Sequence, residues 1–112
     1  MSKNQNTPQA NPEIMQLASL VEYQSGSVVS RTLIKKEKGT LTLFAFDEGE
    51  SLSEHTAPFD AFVYIVDGEA HITIENKSYD LAAGEALILP ANRSHSVKAT
   101  KRFKMLLTMI RS

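Results

Sequence analysis

Residues 49–55 read GESLSEH and residues 84–95 read GEALILPANRSH, and the two stretches are built alike. Each begins with a glycine beside an acidic residue, continues as a short extended segment and ends in a histidine. Short runs bounded by turn residues in this way are typical of β-strands. The pattern therefore predicts that each stretch crosses a short extended segment and places an imidazole, His55 or His95, at its far end.

The sequence around these stretches alternates with a period of two residues, as strands with one buried face do. Asp67-Gly68 separates two alternating runs, and this dipeptide is a strong signal for a two-residue hairpin turn. A second tight turn is predicted at residues 76–77. The alternation predicts about nine short strands, at residues 28–34, 40–46, 49–55, 61–66, 70–75, 78–81, 86–89, 94–99 and 103–110.

Many short strands separated by turns, with almost no helix, indicate an all-β sandwich or barrel. A chain of 112 residues is expected to form one domain, which we place at residues 13–112. Residues 1–12 are polar and are predicted to be a flexible tail. Residues 13–23 show helix-like spacing over a short stretch, which predicts either one or two helical turns or an irregular strip on the barrel.

The composition excludes several function classes. The formal net charge of −1 gives no general attraction to nucleic acid or to a membrane surface, so neither is an expected partner. The chain has no cysteine, which excludes disulfides, thiolate metal sites and a cysteine nucleophile. The first residues lack the apolar core of a secretion signal, and no apolar run is long enough to span a membrane. We expect a cytoplasmic protein.

The two stretches resemble the two sequence motifs of the cupins, a family of small jelly-roll barrels (double-stranded β-helices). In the first motif, Gly49, His55 and Gly68 match the family pattern at the family's spacing. Ala57 stands where the family has a second histidine, and Ala61 stands where it has a glutamate. The resemblance implies an all-β jelly-roll cupin barrel, preceded by the short irregular or helical N-terminal segment.

The second motif is matched in the same partial way. Gly84, Pro90 and His95 fit the family pattern, whereas Asn92 replaces a glycine and Ala99 replaces an asparagine. The resemblance extends over residues 40–110, which is most of the predicted strands.

In cupins, the histidines and the glutamate of these motifs bind one divalent metal inside the barrel, often iron, manganese, nickel or zinc. The resemblance implies that this chain retains two of the four ligands, His55 and His95, facing each other in one cavity. Structural zinc takes four protein ligands and catalytic zinc three. A metal at the two histidines therefore needs further ligands, from water or from Asp60, which neighbours the position of the lost glutamate.

We predict that the protein binds a small organic molecule in this cavity. His55 and His95 are then its polar contacts, and Ala57 and Ala61 leave space and an apolar wall. The alternative is a metal-dependent cupin enzyme, a dioxygenase or an isomerase, that works from the reduced histidine site. A third interpretation is an interaction domain with a filled barrel. The sequence leaves open whether any reaction is catalysed.

Two further expectations concern residues outside the motifs. Alternation places Tyr64 and His71 on outer faces, so no histidine–tyrosine acid–base pair is predicted in the cavity. The last strand, residues 103–110, is apolar on both faces, and such strands are usually covered on both. Because small cupins commonly pair through their outer sheets, the resemblance implies a homodimer.

Overall fold

The computed structural model describes residues 12–111, so the predicted tail lies outside the described residues except for Pro12. Within them, one 3₁₀ turn at Leu17–Ser19 precedes eight antiparallel strands. The strands are β1 (Val28–Lys36), β2 (Gly39–Phe46), β3 (Ser51–His55), β4 (Asp60–Ile74), β5 (Lys77–Ala82), β6 (Ala86–Leu89), β7 (His95–Lys98) and β8 (Phe103–Ile110). No helix in this part of the chain is long and apolar enough to cross a membrane.

The strands form two curled sheets that share β4. The first sheet has the order β1-β2-β8-β4-β6, and the second has the order β3-β7-β4-β5. Alternate apolar residues of both sheets point inward and form the main core, in which the rings of Phe46 and Phe103 stack with centroids 4.6 Å apart. The expected all-β jelly-roll barrel is confirmed.

The predicted hairpin at Asp67-Gly68 is wrong, because β4 runs unbroken through this dipeptide. A hairpin requires the two flanking runs to pair with each other. Instead, residues 60–68 pair with β8, and residues 69–74 pair with β5 and β7. The turn that reverses the chain after β4 lies at residues 75–76, one residue before the predicted position.

Gly68 is the point at which β4 passes from the first sheet to the second. Its φ is +79°, and the pairing with β8 shifts register between Ile65 and Asp67, which marks a β-bulge. The strand also passes close to the start of β8, since a Cβ on Gly68 would overlap the carbonyl oxygen of Arg102 and lie 2.8 Å from the Cα of Phe103. Only glycine fits both conditions.

The N-terminal segment, residues 17–23, lies on the outer face of the first sheet. Val21 is buried there against two residues of β2. The Tyr23 hydroxyl donates a hydrogen bond of 2.5 Å to the Asp67 carboxylate, and the guanidinium of Arg102 lies 4.0 Å from the Tyr23 ring centroid. Burial, and then the hydrogen bond to Asp67, raises the pKa of the Tyr23 phenol, so the hydroxyl remains a donor at neutral pH. The expected short helical segment is thus a single turn attached to the barrel.

The rest of this outer face is partly exposed. Direct strand pairing aligns five residues in one row across the first sheet, one each from β1, β2, β8, β4 and β6. In that order they are Ile34, Leu41, Thr108, Phe62 and Ile88. Phe62 is 45% exposed and Ile88 is 62% exposed. We call these five residues the outer row.

Replacing Gly68 with valine is expected to lower the free energy of unfolding by about 3–5 kcal/mol, because a β-branched residue is strained at positive φ and its Cβ overlaps a backbone carbonyl. Gly84→Val is the matched control. Gly84 has a φ of +92°, but a Cβ there would meet no atom within 4 Å. The expected loss for Gly84→Val is therefore only the backbone strain at positive φ, about 1–2 kcal/mol. Urea unfolding followed by circular dichroism measures both losses. Equal losses would contradict the close approach at Gly68.

Candidate functional site

A cavity of about 60 Å³ lies between the two sheets. Its wall is apolar except for two imidazoles, and the described residues that line it include no lysine, arginine, aspartate or glutamate. His55 is exposed at the opening of the cavity, whereas His95 is half-buried. The lining residues are Leu52, His55, Ala57, Phe59, Ala61, Val63, Leu89, His95, Val97, Met105, Leu107 and Met109.

The two imidazoles are held together by the pairing of β3 with β7. His55 is the last residue of β3 and His95 the first of β7, and the two stand directly opposite each other in the ladder. A register shift between Leu52 and His55 adjusts β3 to this pairing. The ring centroids are 4.5 Å apart and the ring planes meet at 64°. The structure therefore brings the histidines of the two motif stretches into one cavity.

Hydrogen bonds to backbone carbonyls orient both rings. The Nδ1 atom of His55 lies 2.8 Å from the Ser53 carbonyl oxygen, and the Nδ1 atom of His95 lies 3.2 Å from the Arg93 carbonyl oxygen. Since a carbonyl oxygen only accepts, each Nδ1 carries the hydrogen and donates. In the neutral form of each ring, Nε2 is then the nitrogen with a free lone pair.

The surroundings of His95 favour its neutral form. Burial lowers the pKa of His95, the hydrogen bond to the Arg93 carbonyl partly offsets this, and the charge of His55 lowers it further. At neutral pH His95 is therefore a hydrogen-bond acceptor at Nε2, not a cation.

The residues at the other two metal-ligand positions of the family provide no ligand atom in the cavity. Ala57 and Ala61 both line it and present methyl groups. Asp60 is not brought to the imidazoles, because its Oδ1 accepts a hydrogen bond of 2.9 Å from the backbone N–H of Ala91 and its side chain lies outside the lining.

A metal site of the family type does not fit these residues. Across residues 12–111, no three histidine, cysteine, aspartate or glutamate side chains are grouped so that they could hold an ion. The two imidazoles are fewer than the three protein ligands usual at catalytic zinc. The metal-dependent dioxygenase or isomerase chemistry considered above therefore lacks its ligand set in the described chain.

Most residues of the apolar wall were not predicted from the sequence. Val63 of β4 and Met105, Leu107 and Met109 of β8 line the cavity. Strand alternation could have found these four, because they occupy every second position from Ala61 in β4 and from Phe103 in β8. Phe59 carried no such signal, since it lies in the loop before β4, where the period of two does not set side-chain direction.

The other candidate acid–base groups lie outside the cavity. Tyr64 is on the outer face of the first sheet, because its neighbour Val63 points into the cavity. His71 lies on the outer face of the second sheet, where its Nδ1 is 2.7 Å from Oδ1 of Asp80. The cavity therefore contains no histidine–tyrosine pair among the described residues.

Comparison with known proteins is consistent with this architecture. The model of the family described as Cupin domain matches residues 42–110. A conserved protein of unknown function from Streptococcus pyogenes has a TM-score of 0.87 and 32% identity, over 100% of this chain and 96% of that one. A cupin superfamily protein from Desulfitobacterium hafniense DCB-2 has a TM-score of 0.85 and 34% identity, over 99% of this chain and 100% of that one.

One curated relative is described as a polyketide synthase. Polyketide synthase CurC from Streptomyces cyaneus is 31% identical over 58 residues, which are 51% of this chain and 38% of that protein. The matched region is thus little more than a third of that protein's length.

Lowering the pH from 7.5 to 5 is expected to destabilise the wild-type protein more than a His95→Gln variant. The pKa of His95 in the folded state lies below the ordinary value of 6.5. As the pH falls below that value, the unfolded chain binds the proton first, and folding stability decreases until the pH has passed the folded pKa. Urea unfolding at both pH values measures the difference. An equal loss in wild type and variant would show that the imidazole is not desolvated.

Proposed function

The chain belongs to the cupin family, and from that premise we propose that it binds a small neutral organic molecule in the cavity between its sheets. In this proposal His55 and His95 accept hydrogen bonds from the ligand through Nε2, and Ala57 and Ala61 contact its apolar part. The observation that carries the proposal is the adjacent pair of imidazoles in an otherwise apolar wall. A few convergent polar atoms in an apolar cavity are the usual composition of a small-molecule site.

The wall limits the charge of the ligand. The described lining residues include no lysine, arginine, aspartate or glutamate, so a buried carboxylate, phosphate or ammonium group would have no partner of opposite charge. Burying an unpaired charge is much more costly than burying a neutral hydrogen-bonded group. The favoured ligand is therefore neutral and carries one or two hydroxyl or N–H donors for the imidazole acceptors.

The cavity volume limits the size of the ligand. The cavity of about 60 Å³ holds about four to six water-sized groups. The buried part of the ligand is thus a few non-hydrogen atoms. A larger molecule extends through the opening beside His55, which is exposed.

Phenol is expected to stabilise the protein more than toluene, which has the same size but no hydroxyl group. At ten times its Kd, a ligand that binds only the folded state adds about 1.4 kcal/mol. Replacing both His55 and His95 with leucine is expected to abolish the preference for phenol. Thermal unfolding of chelator-treated protein at pH 7.5 measures the shifts, and His71→Leu is the matched control outside the cavity. Equal stabilisation by phenol and toluene in the wild type would contradict the proposed acceptor pair.

We propose a second copy of this chain as the partner that covers the outer row. With a two-fold axis parallel to the strands, the outer rows of two copies pack face to face and run in opposite directions. Ile34 of one copy then lies against Ile88 of the other. The next row along the same face runs from Lys36 through Gly39 and Ile110 to Asp60. The same rotation places Asp60 of one copy opposite Gly39 of the other, one strand or about 4.8 Å from that copy's Lys36, which adds charge complementarity to the apolar contact.

Ile88→Glu is expected to convert a dimer into a monomer, because it places an unpaired charge against the apolar side chain of Ile34 from the other copy. Ile14→Glu is the control, since Ile14 is an exposed isoleucine outside the row. Size-exclusion chromatography with light scattering over a range of protein concentrations measures the mass. A wild-type protein that is monomeric at every concentration would contradict the pairing.

A further inference from the structure

Phe59 places a large aromatic ring in the wall of the cavity, close to its opening. The residue is half-buried and belongs to the loop of residues 56–59, which leads from His55 at the end of β3 to the start of β4. Because His55 is exposed at the opening, this loop crosses the end of the barrel at which the opening lies. A ring at this position limits the space for a ligand that enters there.

The backbone of this loop is fixed on both sides of the ring. The backbone N–H groups of residues 92 and 91 donate hydrogen bonds of 2.8 Å and 2.9 Å to the carbonyl oxygen of Ala57 and the carboxylate of Asp60, respectively. Pro58, between these two contacts, has its φ fixed by its own ring. Movement at this point of the wall is therefore confined to the side chain of Phe59, which can change rotamer while the loop stays in place.

A cation holds the Phe59 ring from the side away from the cavity. The guanidinium carbon of Arg111 lies 5.5 Å from the ring centroid, within the range of a cation–π contact. The backbone N–H of Arg111 donates a hydrogen bond of 2.8 Å to the carbonyl oxygen of Lys38, in the turn between β1 and β2. Because Arg111 does not line the cavity, the ring lies between the guanidinium and the cavity.

The strength of this contact sets how easily the ring moves. An exposed cation–π contact favours the ring position that makes it by a factor of about two to five. A ligand that requires the ring to turn away from the cavity binds more weakly by the same factor, because only the minor ring position admits it. A ligand that fits beside the ring is unaffected. Removing the ring has a larger effect, since part of the ligand can then occupy its volume.

We infer that Phe59 is a specificity-determining residue of the cavity and that Arg111 positions it. The ring limits the buried part of the ligand to a compact group no larger than one aromatic ring, while the two imidazoles select for a hydroxyl or N–H donor. The inference rests on the proposed function, because it concerns the size limit of the same site.

Titration calorimetry with phenol and with 2-naphthol at pH 7.5 tests the inference. Both molecules carry one hydroxyl group that is neutral at this pH, but 2-naphthol has a second, fused ring. Phe59→Ala is expected to raise the affinity for 2-naphthol relative to phenol by at least about tenfold, because the space left by the phenyl group accommodates the second ring. Phe59→Leu, which keeps more of the apolar contact, is expected to give a smaller increase.

The variants of Arg111 test its positioning role. Arg111→Gln is expected to raise the affinity for 2-naphthol relative to phenol by about two- to fivefold, and Arg111→Lys, which keeps a cation, is expected to restore the wild-type ratio. Lys38→Gln and Thr56→Ala are the matched controls. Lys38 is a neighbouring exposed cation, and Thr56 is an exposed residue of the same loop that does not line the cavity. Both are expected to keep the wild-type ratio.

The outcomes separate this inference from the proposed function. Circular dichroism identifies the variants that are folded, and Phe59→Leu remains informative where Phe59→Ala does not fold. A wild-type ratio of the two affinities in the folded Phe59 variants would overturn the inference, even where the wild-type protein prefers phenol to toluene. A wild-type ratio in Arg111→Gln would overturn the role of Arg111. Equal binding of phenol and toluene to the wild-type protein would overturn the proposed function, and the inference with it.

Discussion

The passage of β4 between the two sheets is the constraint from which the cavity follows. The first half of the strand carries Ala61 and Val63 into one wall, and the second half pairs with β7 and so positions His95 in the other. The change of direction occurs at Gly68, where positive φ and contact with the start of β8 leave no room for a side chain. The separation of the imidazoles from the wall of the first sheet therefore depends on one bulge in one strand.

Within that frame, the chemistry of the cavity depends on a balance between desolvation and hydrogen bonding. The apolar wall disfavours a charged imidazole, and burial is the main cause of the lowered pKa of His95. The backbone carbonyls of Ser53 and Arg93 hold the Nδ1 hydrogens and direct the Nε2 lone pairs elsewhere. Alanines at positions 57 and 61 remove the donors that a divalent metal of the family requires. A pair of imidazole acceptors in an apolar wall is compatible with a neutral ligand that carries hydrogen-bond donors.

Local features of this fold were predictable from the sequence, whereas most long-range features were not. The ends of β6 and β8 were predicted to the residue, because alternation and flanking turn residues are local signals. The convergence of His55 and His95 was implied by the family resemblance, and the β3–β7 ladder shows how it arises. The hairpin at Asp67-Gly68 was wrong because a glycine at positive φ serves a turn and a bulge equally. Asp60 could not be placed from sequence, since its hydrogen bond to Ala91 depends on a loop from another part of the chain.

The amino-acid sequence alone determined that this is a β-barrel with a histidine at the end of each motif stretch and without a full set of metal ligands, because strand period, turn residues and residue identity are local properties. Only the tertiary structure decided which residues form the cavity wall, that Met109 stands on it, and that part of the outer sheet face stays uncovered. These features arise from pairings between distant strands. Which strands pair with each half of β4 is determined by the packing of the whole chain, and no short segment specifies it.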